Sequence, residues 1–227
     1  MDELATSGVT VVKLLDEGAR AATQASLLRR LHASPELVAP SLAPEPGALP
    51  PLVQLGGAGF LGTASSFHFE EVRRLRGAAL RAVGPLIAPS SSSPSSPLEL
   101  QGGASDVAGT VPKNVQVLVD RLCVRLPGQA PEAESFHRDL SPPELCAPGD
   151  EIYGGWVNLS PSDQHFSCVK RTHRDTASKP DAQGFTLITK KNTAQYKAKA
   201  TLIRIPPGHM VIFHQVRIGG CSRARDS

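Results

Sequence analysis

The stretch Glu134-Ser135-Phe136-His137-Arg138-Asp139 contains a histidine and an aspartate whose spacing is the clearest sign of a functional site in this chain. His137 and Asp139 are two residues apart, and alternate residues of a β-strand point to the same face. One imidazole and one carboxylate can therefore converge on a divalent metal that takes mixed nitrogen and oxygen ligands. Two side chains do not complete such a site, so the rest of the chain has to supply a third ligand.

The composition is that of an ordinary globular chain. It has 227 residues, of which 40% are hydrophobic and 20% charged, and this length allows one sizeable core in a single domain. The formal charge of +3 comes without a continuous basic run, so nucleic acid is not the expected partner. The four cysteines form no C-x-x-C pair, which argues against a structural zinc site.

Targeting signals are not evident in the sequence. The N-terminus begins Met1-Asp2-Glu3, which is acidic and lacks the basic start and apolar run of a secretory signal. A run of about 20 apolar residues, which a membrane-spanning helix needs, is missing as well. We therefore expect no membrane span, and we take the cytoplasm as the default location.

The first part of the chain is expected to be mainly helical. Residues 8–15 are rich in β-branched side chains and predict a short strand. Asp16 is placed to cap a helix that runs to about His32. A second helix is predicted over 67–87, where apolar residues recur at helical spacing and arginines mark the polar side. Residues 88–105 are rich in Ser, Pro and Gly, which is typical of a flexible loop.

The remainder of the chain has the pattern of short strands separated by turns. Regular short strands of this kind predict a sandwich or a barrel. The predicted strands fall within 115–119, 122–126, 134–139, 152–159, 166–169, 185–188, 200–205 and 210–214.

Four of these segments carry a resemblance to a known family. They are Phe136-His137-Arg138-Asp139, Gly154-Gly155-Trp156-Val157-Asn158-Leu159, Cys168-Val169-Lys170-Arg171-Thr172-His173-Arg174 and Ile205-Pro206-Pro207-Gly208-His209-Met210-Val211-Ile212-Phe213. In this order the sequence resembles the 2-oxoglutarate- and Fe(II)-dependent oxygenases, and within them the phytanoyl-CoA dioxygenase-like group. The resemblance is firmest over residues 115–215.

The resemblance implies a fold that is mainly β with N-terminal helices. This fold is a double-stranded β-helix, a jelly-roll or cupin-like barrel, with the metal at one open end. It implies a single oxygenase-like domain over 1–227. Within that domain, residues 1–87 hold the N-terminal strand and helices, residues 88–105 the flexible loop, and residues 106–227 the β-helix core.

The resemblance also implies Fe(II) and 2-oxoglutarate as cofactors and a small-molecule or lipid-like substrate. Fe(II) would be held by His137, Asp139 and a downstream histidine, for which His214 is the candidate. A basic residue would pair with the far carboxylate of 2-oxoglutarate, because a guanidinium binds a carboxylate with two parallel hydrogen bonds. The candidates for this role are Arg223, Arg225 and Arg125.

The sequence departs from the family pattern toward its C-terminus. Lys170-Arg171 stands where the family usually has Pro-Gly, and His214 follows Phe213 directly where the family usually has several intervening residues. The last nine residues, 219–227, have almost no apolar content. The barrel is therefore expected to be incomplete at its C-terminal strand.

Three functions remain open from the sequence. The first is an active dioxygenase, in which Trp156 either packs in the core or forms a wall of the substrate pocket. The second is a catalytically impaired protein of the same fold with a broken metal triad, which acts by binding a partner. The third is a nucleic-acid demethylase with the same iron chemistry, which the lack of a basic stripe with interleaved aromatic residues disfavours.

Overall fold

The chain folds into helices and antiparallel sheets. The computed structural model describes residues 3–33, 60–61, 66–87, 115, 117, 120, 122–124, 137–139, 151–174, 185–187, 190–215 and 219–220. The helices in these ranges are α1 (Glu3–Ser7), α2 (Glu17–His32), α3 (Glu70–Ile87) and α4 (Lys190–Lys199). The strands are β1 (Val9–Lys13), β2 (Phe60–Leu61), β3 (Leu122–Cys123), β4 (His137–Asp139), β5 (Tyr153–Val157), β6 (Gln164–Cys168), β7 (Phe185–Leu187), β8 (Thr201–Ile205), β9 (His209–His214) and β10 (Gly219–Gly220).

The N-terminal strand and helix lie where the sequence predicts them. β1 falls within the β-branched run, and α2 ends at His32. The Asp16 carboxylate accepts a hydrogen bond of 2.8 Å from the backbone amide of Ala19. It thereby satisfies one of the amide groups that a helix leaves open at its N-terminus. The predicted cap and the end of the helix are both confirmed.

The described strands form three antiparallel sheets. A three-stranded sheet has the order β1-β9-β5, a five-stranded sheet has the order β7-β4-β10-β6-β8, and β2 pairs with β3. Within the described ranges these sheets do not close into a barrel. The prediction of a mainly β chain with N-terminal helices is therefore confirmed only in its coarser form, as helices followed by antiparallel sheets.

The main hydrophobic core lies between the three-stranded and five-stranded sheets. Phe166 of β6 stacks on Phe213 of β9 with ring centroids 4.8 Å apart, and Trp156 of β5 meets both rings edge-on. The buried side chains of this core are Val9, Phe166, Cys168, Ile205, Val211 and Phe213. Because these residues come from both sheets, they mark the surfaces through which the two sheets face each other. We call the space between them the inter-sheet face.

The opposite face of the three-stranded sheet is covered by helices. Ile212 of β9 packs with Leu4 of α1 and Val83 of α3, and Tyr153 and Met210 lie against the same cluster. β9 is thus covered on both faces, which explains its continuous apolar run, since strands buried on both sides do not alternate with polar residues. None of the helices in the described ranges is both long and apolar enough to cross a membrane.

A partly buried carboxylate joins α2 to α3. Glu71 of α3 accepts hydrogen bonds from Ser26 Oγ at 2.6 Å and from Arg30 Nε at 2.8 Å, both on α2. Burial raises the pKa of Glu71, but the hydrogen bonds from Ser26 and Arg30 outweigh this effect and lower the pKa to about 2. The ionised form of Glu71 therefore holds the two helices together.

We expect the contribution of Glu71 to stability to depend on pH. A carboxyl whose pKa is lower in the folded state stabilises the protein above its unfolded pKa and loses that effect as the pH falls. Glu71→Gln should cost up to about 3 kcal/mol at neutral pH, and the difference from wild type should vanish between about pH 4.5 and 2. Urea unfolding of both proteins across this pH range measures the difference in the free energy of unfolding. Glu70→Gln, at a half-exposed neighbour, is the control, and a difference that does not change with pH would contradict the prediction.

Candidate metal centre

The strand with the histidine and the aspartate lies inside the five-stranded sheet. β4 pairs with β7 on one side, in the register His137↔Leu187 and Asp139↔Phe185. On its other side it pairs with β10, in the register His137↔Gly219. The two potential ligands therefore lie on an internal strand, where His137 is paired on both sides and Asp139 is paired with β7.

The register also places these two residues on the inter-sheet face. Gly219 is the partner of His137 in β4 and, at the same time, of Cys168 in β6. Residues directly opposite one another in antiparallel strands lie on the same face of the sheet. Cys168 is fully buried in the core between the sheets, so the His137 position shares that face. Asp139 shares it too, because it is two residues further along the strand.

The residue across from His137 on β10 cannot be a ligand. Gly219 has no side chain, so the cross-strand position nearest to His137 on that side offers no donor atom. On the other side, the residues opposite His137 and Asp139 are Leu187 and Phe185, and both are apolar. His137 and Asp139 have the donor chemistry of a mixed metal site, but their direct cross-strand neighbours do not complete it.

His214, the predicted third ligand, lies on a different sheet. It ends β9 in the three-stranded sheet, where its partner is Tyr153 of β5. Alternation places His214 on the same face as Ile212, which is the face covered by helices. Its ring packs on Tyr153 at 4.4 Å between centroids and stacks on His173 at 4.9 Å, with an angle of 14° between the two histidine rings. The structure thus places His214 on the face of its sheet that is turned away from the inter-sheet face.

Trp156 lies on the inter-sheet face of the three-stranded sheet. Its indole ring packs against the core, and its Nε1 donates a hydrogen bond of 3.0 Å to Gln164 Oε1 of β6. This contact ties β5 to the five-stranded sheet. The side chain therefore has a clear packing role.

The three arginines predicted to bind 2-oxoglutarate, Arg125, Arg223 and Arg225, lie outside the described residues. Two features of the site were not found from the sequence. The pairing of Gly219 with His137 had no sequence signal, because a two-residue strand of glycines carries no periodicity. The stack of Tyr153, His214 and His173 joins residues that are distant in sequence and are not linked by any motif.

Comparison with known proteins gives a likeness of fold. No family model matches the chain, and no curated protein matches it either. Among solved structures, the chain is similar to the crystal structure of a protein from Salmonella typhimurium LT2 that is provisionally described as an oxidoreductase. The TM-score is 0.52 at 14% sequence identity, and the match covers 98% of this chain but 65% of that one. At this identity the comparison supports a shared fold and does not extend to activity.

Proposed function

We propose that this chain is an oxidoreductase of the 2-oxoglutarate- and Fe(II)-dependent dioxygenase type, similar to the phytanoyl-CoA dioxygenases. The observation that carries the proposal is the place of His137 and Asp139 on an internal strand of the five-stranded sheet, on the inter-sheet face. A strand position of this kind suits a metal ligand, because the neighbouring strands fix its backbone. The provisional description of the similar Salmonella protein belongs to the same broad class.

The chain's own residues would bind the metal and keep water away from it. His137 would supply an imidazole nitrogen and Asp139 a carboxylate oxygen, the donor types that Fe(II) takes in oxygenases. Bound Fe(II) with 2-oxoglutarate would supply the oxidising power for hydroxylating a C–H bond. Phe166 and Phe213 fill the core on the same face, and this apolar surrounding would exclude bulk water from a bound metal. The substrate would be a small molecule or lipid-like.

The remaining parts of the proposal concern 2-oxoglutarate and the extent of the domain. Arg223, Arg225 or Arg125 would hold the far carboxylate of 2-oxoglutarate through a paired guanidinium contact. The domain would be continuous over 1–227, and its sheets would be those of a double-stranded β-helix. The antiparallel order β4-β10-β6-β8 supports this reading, since it places strands from distant parts of the sequence side by side.

A second function is favoured by a specific observation. Gly219 stands opposite His137, and His214 lies on the helix-covered face of the other sheet. A chain that retains the fold but not a full set of ligands could act as a binding protein without turnover. This alternative and the dioxygenase proposal differ in one measurable property, which is the release of succinate.

Succinate release from 2-oxoglutarate in the presence of Fe(II) and oxygen tests the proposed function. We expect the wild type to release succinate and the rate of release to fall at least about 100-fold in His137→Ala and Asp139→Ala. Each variant removes a direct metal ligand, and even the residues that hydrogen-bond to such ligands contribute roughly 10- to 100-fold to metal affinity or activity. Arg138→Ala is the matched control, since Arg138 lies on the opposite face of the same strand. Wild-type protein that binds Fe(II) and releases no succinate would favour the binding-protein alternative.

A further inference from the structure

A groove on the surface of α3 is lined mainly by arginines. It has a volume of about 310 Å³. Its lining residues are Glu70, Arg73, Arg74, Gly77 and Arg81. At 3.6 residues per turn, these positions fall on one face of the helix over about three turns. Val72 and Val83, which are buried, fall on the opposite face, so the groove opens to solvent.

Gly77 lies at the centre of the groove, and the side chain of Arg81 reaches toward it. A Cβ added at Gly77 would lie 3.4 Å from Nη1 of Arg81. The Arg81 side chain therefore turns back by one helical turn, in the direction that long side chains on helices favour. In the part of the chain that the structure describes, Arg81 has no carboxylate partner. Its guanidinium can donate hydrogen bonds to a ligand in the groove.

The other end of the groove holds a carboxylate of the protein itself. Glu70 accepts a hydrogen bond of 2.9 Å from Nε of Arg74, and its other oxygen lies 3.8 Å from Nη1 of Arg73. All three residues are exposed, and exposed ion pairs of this kind contribute little to stability. The groove thus combines three guanidinium groups with one weakly held carboxylate, which leaves a surplus of positive charge for an anion.

We propose that this groove binds a phosphate group of a small soluble ligand. A guanidinium forms paired hydrogen bonds with phosphate oxygens. A phosphate group carries a charge of roughly −1.5 to −2 and three strong acceptor oxygens. It can therefore contact Arg81 and Arg74 together, whereas one guanidinium already satisfies a carboxylate, as Glu70 shows.

The surroundings of the groove favour a ligand in solution over a lipid headgroup. The exposed large apolar side chains among the described residues are Leu28, Leu86 and Leu202, and all three lie outside the lining. The groove therefore offers no apolar side chain that would enter a lipid surface. Because α3 packs on the side of the three-stranded sheet away from the inter-sheet face, this site is separate from the candidate metal centre.

Isothermal titration of the full-length protein with inorganic pyrophosphate tests the proposal. Physiological ionic strength screens attraction beyond about 8 Å, so the binding that remains is local. Arg81→Gln should lower the affinity at least about tenfold, because it removes hydrogen bonds between charged groups. Arg29→Gln is the matched control: it removes the same charge from an exposed position of α2 outside the lining and should stay within about twofold of wild type. Equal affinities of the two variants would overturn the proposal.

Glu70→Gln should have the opposite effect on the affinity for pyrophosphate. It removes the carboxylate that competes with the ligand for Arg73 and Arg74, so we expect binding at least about threefold tighter than in the wild type. Circular dichroism checks that the variant keeps its helices. An unchanged or weaker affinity in the folded variant would contradict a phosphate site at this end of the groove.

Two other ligands test the chemical class. A peptide of glutamates should bind at least about tenfold more weakly than pyrophosphate, because its carboxylates have fewer acceptor oxygens and less charge per group. Phosphatidylcholine vesicles that contain a phosphoinositide should sediment no more of the wild type than of Arg81→Gln. Equal or tighter binding of the peptide would make an acidic protein segment the ligand, and sedimentation that depends on Arg81 would make it a lipid headgroup. Either result would overturn the proposal.

Discussion

Gly208→Ala is expected to lower the free energy of unfolding by about 3 kcal/mol. Gly208 lies in the turn that leads from β8 in the five-stranded sheet to β9 in the three-stranded sheet, and its φ of 73° is in the left-handed region. An alanine in that conformation costs roughly 1–2 kcal/mol. An added Cβ would also come within 2.5 Å of the backbone oxygen of Leu15, and overpacking of this kind costs about 1–3 kcal/mol more.

The position of Gly208 makes this strain difficult to relieve. Its carbonyl oxygen accepts hydrogen bonds from the backbone amides of Leu14 and Leu15, at 3.0 and 2.9 Å, and its own amide donates to Asn158 O at 2.8 Å. A shift of the turn would weaken all three bonds. Since the turn links the two sheets, it would also disturb the inter-sheet face on which the candidate metal centre lies.

Urea unfolding followed by circular dichroism measures the effect of Gly208→Ala. Gly77→Ala is the matched control, because Gly77 lies inside α3 and an added Cβ there would approach the flexible end of the Arg81 side chain at 3.4 Å. Alanine is the better helix former by about 1 kcal/mol, so the control should be as stable as the wild type or more so. A Gly208→Ala protein within about 0.5 kcal/mol of wild type would show that the turn relaxes without cost.

The elements of the fold that could be predicted are those whose residues carry a local signal. α2 has both an apolar periodicity and a capping aspartate. α4 was missed, because its sequence, Lys190–Lys199, is polar on all sides and has no apolar stripe. Arg76, predicted to lie on the polar face of its helix, instead pairs with Asp120 at 3.0 Å and lies over the ring of Phe67. Local periodicity does not reveal such a partner, which comes from a distant segment.

The candidate site also contains residues that the sequence could place and residues that it could not. His137 and Asp139 could be paired from the sequence, since two-residue spacing on a strand has a fixed geometric meaning. His214 could not be assigned to a face of its sheet, because Val211, Ile212 and Phe213 are all apolar. A strand that is buried on both faces has no polar alternation, so its sequence does not show which residues lie on which face. The role of Gly219 depends on register. A shift of one residue would exchange it with Gly220, and two adjacent glycines do not specify the register.

Asn158→Ala is expected to be the other strongly destabilising change, at about 3 kcal/mol. Asn158 follows β5 and is fully buried. Its Nδ2 donates to the backbone oxygens of Ile205 at 2.8 Å and Ser162 at 2.9 Å, and its Oδ1 accepts from the amide of Ser160 at 2.9 Å. Each bond contributes about 1 kcal/mol net. Because Ile205 ends β8, this one carboxamide ties the end of the three-stranded sheet to the five-stranded sheet.

The chemistry of the carboxamide, and not its size, should decide the result at position 158. Asn158→Asp has nearly the same shape, but its carboxylate cannot donate to the two carbonyl oxygens, so we expect it to be at least as unstable as Asn158→Ala at neutral pH. For a chain of this length, the loss corresponds to a fall in Tm of about 6–12 °C. Ser160→Ala removes only the exposed contacts of Ser160 Oγ with the hydroxyl and the amide of Ser162, in the same loop, and should stay close to wild type. If Asn158→Asp melts at the wild-type temperature, the donor role of Nδ2 is refuted, and with it the tie between the two sheets.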